Sequence, residues 1–220
     1  DDNSIANNQQ AQKSQHILIK PIGALKNMIS TLIKKITDFI QRMFMSKEEK
    51  ERFERFKQLA ASDPNLKNKK MTLKDFRKIN AEYQKAINDI DAQIAAIDRQ
   101  SDEEAARTVE KVQEIASNVV KGIKQSATTI FSVDMALRLA ENNKDVAKWI
   151  QKKLKNEDDI ISNLEKQIGK ERTADFQKKI KSSTRKISLH RIKVWMLGQY
   201  HGTMSGALSQ TVNDFQDLLN

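Results

Sequence analysis

Cysteine is absent from this sequence of 220 residues, and proline, glycine and aromatic residues are scarce. A chain without cysteine forms no disulfide bond and offers no thiolate for catalysis or metal binding. Two prolines and six glycines provide few positions that break a helix, so helix is expected along most of the chain. An aromatic content of 5% suits narrow contacts between helices better than a thick globular core.

Long hydrophobic runs and catalytic motifs are missing as well. No stretch of about 18 apolar residues occurs, so no ordinary transmembrane helix is predicted. There is no nucleophile elbow, glycine-rich phosphate loop or dinucleotide-binding fingerprint. The histidines His16, His190 and His201 are not spaced as metal ligands. We therefore expect no catalytic residue, no cofactor, no metal and no small-molecule substrate, and we predict that the protein is not an enzyme.

Charged residues, by contrast, are abundant, at 31% of the chain. The net charge of +10 and the pI of about 9.6 favour anionic partners, which include nucleic acid, an acidic membrane face and an acidic protein. Hydrophobic residues make up 38%, which at this length is enough for a sizeable core. The abundance of Lys, Glu, Gln, Ala and Ile predicts an all-α fold.

Residues 73–141 carry a heptad pattern in two parts, with alternating steps of three and four residues. The repeated positions are Leu73, Phe76, Asn80, Tyr83, Ile87, Ile90, Ile94 and Ile97, followed by Ala105, Val109, Val112, Ala116, Val119, Ile123, Ser126, Ile130, Val133 and Leu137. Between the two parts, Ser101 and Glu104 form a capping-box pattern. The pattern predicts an elongated helical bundle built on a long antiparallel coiled-coil hairpin, with flanking amphipathic helices. The second arm is expected to be the longer one and to need partners beyond the first.

Smaller signals place the other boundaries. A second capping pattern at 72–75 predicts the start of the first arm, and the polar residues 142–144 predict a turn after the second arm. Helices are then expected within 145–219, with 198–202 as the most turn-like part. Asn80 on the heptad pattern has two interpretations: it fixes the register as a buried polar residue, or it faces solvent.

The N-terminal segment 1–20 is polar and lacks periodicity, and we predict a disordered or extended arm there. Residues 21–220 are expected to form a single helical domain. The chain begins with Asp1 rather than Met, which is expected after signal cleavage, after removal of a pro-segment or at an artificial boundary. This start favours an exported or extracellular protein, and a cytoplasmic location stays open.

Residues 23–44 form an amphipathic segment with a wide apolar face and a basic polar face. The residues that we assign to a membrane or partner face are Leu25, Ile29, Leu32, Ile36 and Phe39, with Lys34 and Lys35 beside them. Two interpretations compete. We favour a helix packed against the hairpin, and the alternative is an interfacial helix on an anionic membrane.

The strongest local charge lies at 170–193, where nine basic and two acidic residues leave a net charge of +7. The anion-binding candidates in this segment are Lys178, Lys179, Arg185, Lys186 and Arg191. Trp195, Tyr200 and His201 follow, so the segment could bind phosphates and stack bases. We favour the simpler interpretation, in which this basic face is solvated or paired with acidic residues of the second hairpin arm, among them Glu103 and Glu104.

These observations predict a non-enzymatic interaction or structural protein that acts through contacts between helices, either with another protein or with itself. The predicted architecture resembles that of secreted bacterial proteins such as injection-system tip components and helical toxins, without any match of residues. A role in a bacterial secretion or host-interaction system is therefore an expectation from architecture alone. Nucleic-acid binding through 170–193 is the alternative function.

Overall fold

A computed structural model describes the backbone of residues 2–45, 47–170 and 176–219. It describes the side chains of residues 18, 20–41, 47, 48, 51, 53–169 and 181–218. Within these ranges the predicted all-α fold is confirmed, because long helices pack together and β-structure is limited to one pair of short strands.

The helices and strands follow one another along the chain as follows. They are α1 (Asp2–Met45), α2 (Lys47–Ser62), α3 (Pro64–Lys67), β1 (Lys70–Lys74), α4 (Phe76–Ala96), a 3-10 turn (Ile97–Arg99), α5 (Asp102–Lys124), β2 (Thr128–Ser132), α6 (Val133–Lys170) and α7 (Phe176–Leu219). With 44 residues each, α1 and α7 are about 66 Å long.

Helix α7 packs against four other long helices, namely α1, α4, α5 and α6. It runs antiparallel to α4. Going along the chain from Asn80 to Asp91 and on to Asp98 in the turn, the partners on α7 run backwards, from Tyr200 to Lys193 to Lys186. Helix α1 runs antiparallel to α6 on the other side of the bundle, where α1 also packs on α7.

The predicted hairpin is present as α4 and α5, and the chain reverses at the 3-10 turn before Ser101. The hydroxyl oxygen of Ser101 accepts a hydrogen bond from the Glu104 amide at 3.2 Å, so the predicted capping interaction is confirmed. The prediction of a much longer second arm is wrong, because α4 has 21 residues and α5 has 23. The second arm ends at Lys124 and does not continue to residue 141.

The segment that follows α5 leaves the helix because its side chains favour a strand. Thr128, Thr129 and Ile130 are β-branched, and such residues fit a strand better than a helix. They form β2, which pairs antiparallel with β1, with Thr72 opposite Ile130. Thr72 therefore does not cap α4; the carboxylate of Asp75 accepts hydrogen bonds from the Arg77 and Lys78 amides instead.

Two further predictions differ from the structure. The turn at 142–144 is absent because α6 continues from Val133 to Lys170. For residues 198–202 a continuous helix had been left open, and they lie inside α7. Where an extended or disordered arm was expected over residues 1–20, the structure has the first part of α1, which continues through Pro21. Leu18 and Ile22 on either side of this proline are both buried, so packing in the core accompanies the helix at this point.

The buried side chains form two clusters. The larger one is shared by α1, α4, α5, α6 and α7 along the bundle. The smaller one lies under the β1–β2 pair, where Met71, Leu73 and Phe131 meet Phe56 of α2 and Phe215 near the end of α7. The rings of Phe56 and Phe215 are 4.8 Å apart. Both α6 and α7 contribute to both clusters, so these two helices connect the sheet to the main bundle.

Replacing Gly202 by alanine is expected to raise the free energy of unfolding by about 1 kcal/mol. A glycine inside a helix costs about that much relative to alanine, and a Cβ atom at Gly202 would meet nothing within 4 Å. Urea denaturation followed by circular dichroism measures the difference.

Gly198→Ala is the matched comparison on the same helix. Its Cβ atom would lie 3.3 Å from Cδ2 of Leu32 on α1, so part of the gain in helix propensity is offset by crowding. We expect a smaller gain there than at Gly202. A destabilised Gly202→Ala protein would contradict the open surroundings of this residue.

Candidate protein-binding groove

The apolar side chains of α1 that were assigned to a membrane or partner face are turned into the bundle. Leu25, Ile29 and Ile36 are at most 2% exposed, and Leu32 and Phe39 pack partly buried against the same core. Lys34 and Lys35 stay exposed. Helices α6 and α7 therefore cover the apolar face of α1. The favoured interpretation placed this face against the hairpin, and the structure places it against these two helices instead.

The basic segment of α7 is partly neutralised within the fold. Lys186 contacts Asp98 at 2.7 Å, and Arg185 contacts Asp102 at 3.5 Å. Arg191 is exposed, and the side chains of Lys178 and Lys179 lie outside the described residues. This face was expected to be solvated or paired with acids of the second arm, and the structure shows both outcomes. The acids that pair are Asp102, the first residue of α5, and Asp98 in the turn, rather than Glu103 and Glu104.

A buried charged network lies further along α7, between α4 and α6. The Glu157 carboxylate is 0% exposed. One of its oxygens lies 2.5 Å from Nδ1 of His190, and the other lies 2.5 Å from Nζ of Lys193. Lys193 also contacts Asp91 of α4 at 2.5 Å. Lys153 of α6 lies 3.4 Å from the second oxygen of Asp91. The network thus ties α4, α6 and α7 together in one register.

The pKa values in this network follow from the balance between burial and pairing. Burial by itself raises the pKa of the Glu157 carboxyl, but hydrogen bonds and charges from His190 and Lys193 outweigh it and leave that pKa lowered. Burial by itself lowers the pKa of the Lys193 ammonium, but Glu157 and Asp91 outweigh it and leave that pKa raised. Both groups are therefore held in their charged forms.

A second polar contact, made through two tyrosines, holds α7 to α4. The rings of Tyr83 and Tyr200 stack at 4.7 Å. The Tyr200 hydroxyl donates to the side-chain oxygen of Asn80 at 2.9 Å and accepts from Gln84 at 3.2 Å. Burial raises the pKa of the Tyr200 hydroxyl to about 12. Asn80 is thus buried, as one of its two interpretations required, and its partner is α7 rather than the other arm of the hairpin.

The Glu157 network pairs opposite charges inside the bundle. Glu157, Lys193, Asp91 and Lys153 each lie beside a group of opposite charge. In the part of the chain that the structure describes, no group of three or more His, Asp or Glu side chains is placed to hold a metal ion. His201 packs edge-on against Phe39 at 5.3 Å.

An open concavity lies between α4 and α5 and has a volume of about 1170 Å³. Both helices pack on α7 and also contact each other. Buried Met196 of α7 contributes to the lining, together with Ile90 and Val112 from the two walls. From Asp75 to Gln93 on α4 the groove is about 27 Å long, at 1.5 Å per residue.

Two heptad-spaced rows of uncharged residues face this groove. They are Ile79, Ala86 and Gln93 on α4, and Thr108, Ile115 and Gly122 on α5. Each residue of one row is as many residues away from the turn at Gln100 and Ser101 as its counterpart in the other row. In an antiparallel hairpin this places Ala86 opposite Ile115. Ile115 is 49% exposed. These rows were not predicted from the sequence.

The signal that could have revealed the groove is the lack of charge in these rows. They occupy the position just before the first apolar position of each heptad, where paired coiled coils usually carry Glu or Lys. Charged side chains lie further out, with Lys78, Glu82, Lys85 and Asp89 on α4 and Lys111 on α5. The groove therefore has an apolar interior and a rim of mixed charge.

Comparison with protein-family profiles, with characterised proteins and with solved structures finds no match for this chain. None of the helices in the described ranges is long and apolar enough to cross a membrane.

Glu157→Gln is expected to lower the free energy of unfolding at pH 7 by about 3 kcal/mol, because it removes one partner of a buried ion pair. Lys193 still has its ion pair with Asp91 in this variant, which limits the loss of stability. Since the pKa of Glu157 is lowered in the fold, its stabilisation is present above the ordinary value of 4.5 and disappears as the pH falls through the lowered pKa. Urea denaturation of both proteins from pH 7 downward tests this.

Glu165→Gln is the control, because Glu165 lies on the same helix but is exposed and only 3.5 Å from exposed Lys26. A surface pair of this kind contributes about 1 kcal/mol or less. A stability difference between wild type and Glu157→Gln that stays constant as the pH is lowered would contradict the assignment of a charged Glu157.

Proposed function

We propose that this chain is a non-enzymatic protein-binding module that receives an amphipathic helix of a partner protein in the groove between α4 and α5. The single observation that carries the proposal is the groove itself, with its uncharged heptad rows and half-exposed Ile115. Export and a part in a secretion or host-interaction system remain predictions from the sequence.

The dimensions of the groove suit a helix. Its walls are two helices and its floor is a third, so an added helix would complete a four-helix arrangement with α4, α5 and α7. A length of about 27 Å accommodates about 18 helical residues, or five turns. Recognition of this kind uses apolar anchors of the partner at steps of three and four residues.

The composition of the walls supports a helical partner rather than a small ligand. The rows Ile79–Ala86 and Ile115–Gly122 repeat every seven residues, which matches the heptad spacing of a guest helix. Small side chains at Ala86 and Gly122 leave room for the knobs of that helix. The rim carries both signs of charge, with Lys85 and Lys111 near Glu82 and Asp89, so the partner is expected to carry both signs on its flanks.

A photo-crosslinking amino acid placed at Ile115 tests the proposal in an extract of the source organism. We expect it to capture one partner whose crosslinked peptide belongs to an amphipathic helix. The peptide, made synthetically, should gain helical circular dichroism when it binds the full chain. Ile115→Glu should weaken that binding by at least about tenfold, since a buried isoleucine contributes about 1.5–3 kcal/mol.

Leu59 provides the matched control, because it is also 49% exposed but lies on α2, away from the groove. Crosslinking at Leu59 and the Leu59→Glu substitution should leave the captured peptide and its affinity unchanged. Gly122→Leu fills the groove at a position where a Cβ atom meets nothing within 4 Å, so it should block binding without unfolding the chain. Equal capture from Ile115 and Leu59 would refute the proposal.

A further inference from the structure

A second groove, of about 630 Å³, lies near the C-terminal end of α5 and is lined by β1, α7 and Thr128 of β2. Three consecutive residues of β1, from Thr72 to Lys74, line it. Side chains of consecutive strand residues point to opposite faces, so a wall that includes all three extends along the edge of the strand. Thr128 of β2, opposite Lys74, lines the groove where the strand pair ends. Gly202 and Gly206 of α7 also line the groove.

The outer edge of β1 is free to pair. In an antiparallel pair, half of the backbone groups of each strand point away from the partner strand. Within the described residues, no hydrogen bond engages the backbone of Thr72, Leu73 or Lys74 other than those of the pairing with β2. An unpaired strand edge beside a groove is the surface to which an extended peptide adds as a further strand.

The charge of this groove has one sign. Lys74 and Lys124 line it and no acidic residue does. Nζ of Lys74 donates to the carbonyl oxygen of Lys124 at 3.0 Å, and the ammonium group retains two further N–H donors. Gln210, at the end of the groove on α7, is bonded to Asp214 at 2.9 Å. An occupant that carries negative charge is therefore complementary to the groove.

We infer that this groove binds an extended, acidic segment of a partner protein, which adds as a strand to the edge of β1 and places its carboxylates beside Lys74 and Lys124. The inference does not depend on the groove between α4 and α5, although Asp75 and Thr129 of that groove are adjacent in the chain to Lys74 and Thr128 of this one. A second copy of the chain is the less suitable occupant. β1 has lysines at both ends, Lys70 and Lys74, so antiparallel self-pairing would bring like charges together.

The glycines make a test possible that separates binding from folding. A Cβ atom at Gly202 or Gly206 would meet nothing within 4 Å, so Gly206→Leu fills the groove while it improves helix propensity. We would select a phage-displayed library of random short peptides on the wild-type full chain. Enriched peptides should carry acidic residues, and Gly206→Leu should weaken the best of them by at least about tenfold.

Two comparisons make the result specific. Gly169→Leu, at an exposed glycine of α6 with open surroundings, should leave the affinity unchanged. N-methylation at successive positions of the best peptide should block binding at alternate residues only, because a strand pairs through every second amide. Lys124→Glu should weaken binding as well.

The proposal is overturned if no peptide is enriched, or if the enriched peptides bind the Gly206→Leu protein as well as the wild type. It is also overturned if N-methylation has no alternating effect, or if Gly206→Leu instead abolishes self-association of the chain. Each readout is independent of crosslinking at Ile115, so failure at this groove and failure at the groove between α4 and α5 are distinguishable.

Discussion

The charged contact between Glu157, Lys193 and Asp91 constrains the relative positions of three helices. Each of these side chains comes from a different helix, and Glu157 is completely buried. A buried charge without its partner costs several kcal/mol, so a shift of α7 by one turn along α4 or α6 would be strongly unfavourable. The Tyr83–Tyr200 stack and the hydrogen bond from Tyr200 to Asn80 impose the same register nearer the N-terminal end of α4.

This arrangement makes α7, rather than the hairpin, the centre of the bundle. The apolar positions of α4 and α5 belong to the same core cluster as those of α7, and both arms pack against α7 as well as against each other. The space between them is the groove floored by Met196. The same central helix continues past the hairpin to the β1–β2 pair, where its glycines border the second groove. Both proposed binding sites are therefore consequences of how α7 supports its neighbours.

The parts of the fold that the sequence predicted correctly depend on short-range patterns. The heptad steps of α4 and α5, the cap formed by Ser101 and the apolar face of α1 each involve residues within a few turns of one another. The errors arose where distant segments decide the structure. Thr128–Ser132 becomes a strand because Lys70–Lys74 is there to pair with it, and those segments are far apart in the chain. The helix at residues 142–144 likewise persists because the flanking residues of α6 are buried on both sides.

The sequence by itself determined that the chain is helical, that its helices are amphipathic and that a hairpin reverses near Ser101. These properties follow from composition and periodicity, which act through local backbone preference and the burial of one face. Only the tertiary structure decided which faces meet. It placed the apolar side of α1 in the core, paired Arg185 and Lys186 with acids at the hairpin turn, and left Ile115 and the edge of β1 open. An amphipathic pattern specifies that a face is buried but not against what, because many apolar faces are interchangeable partners until buried charges fix the register.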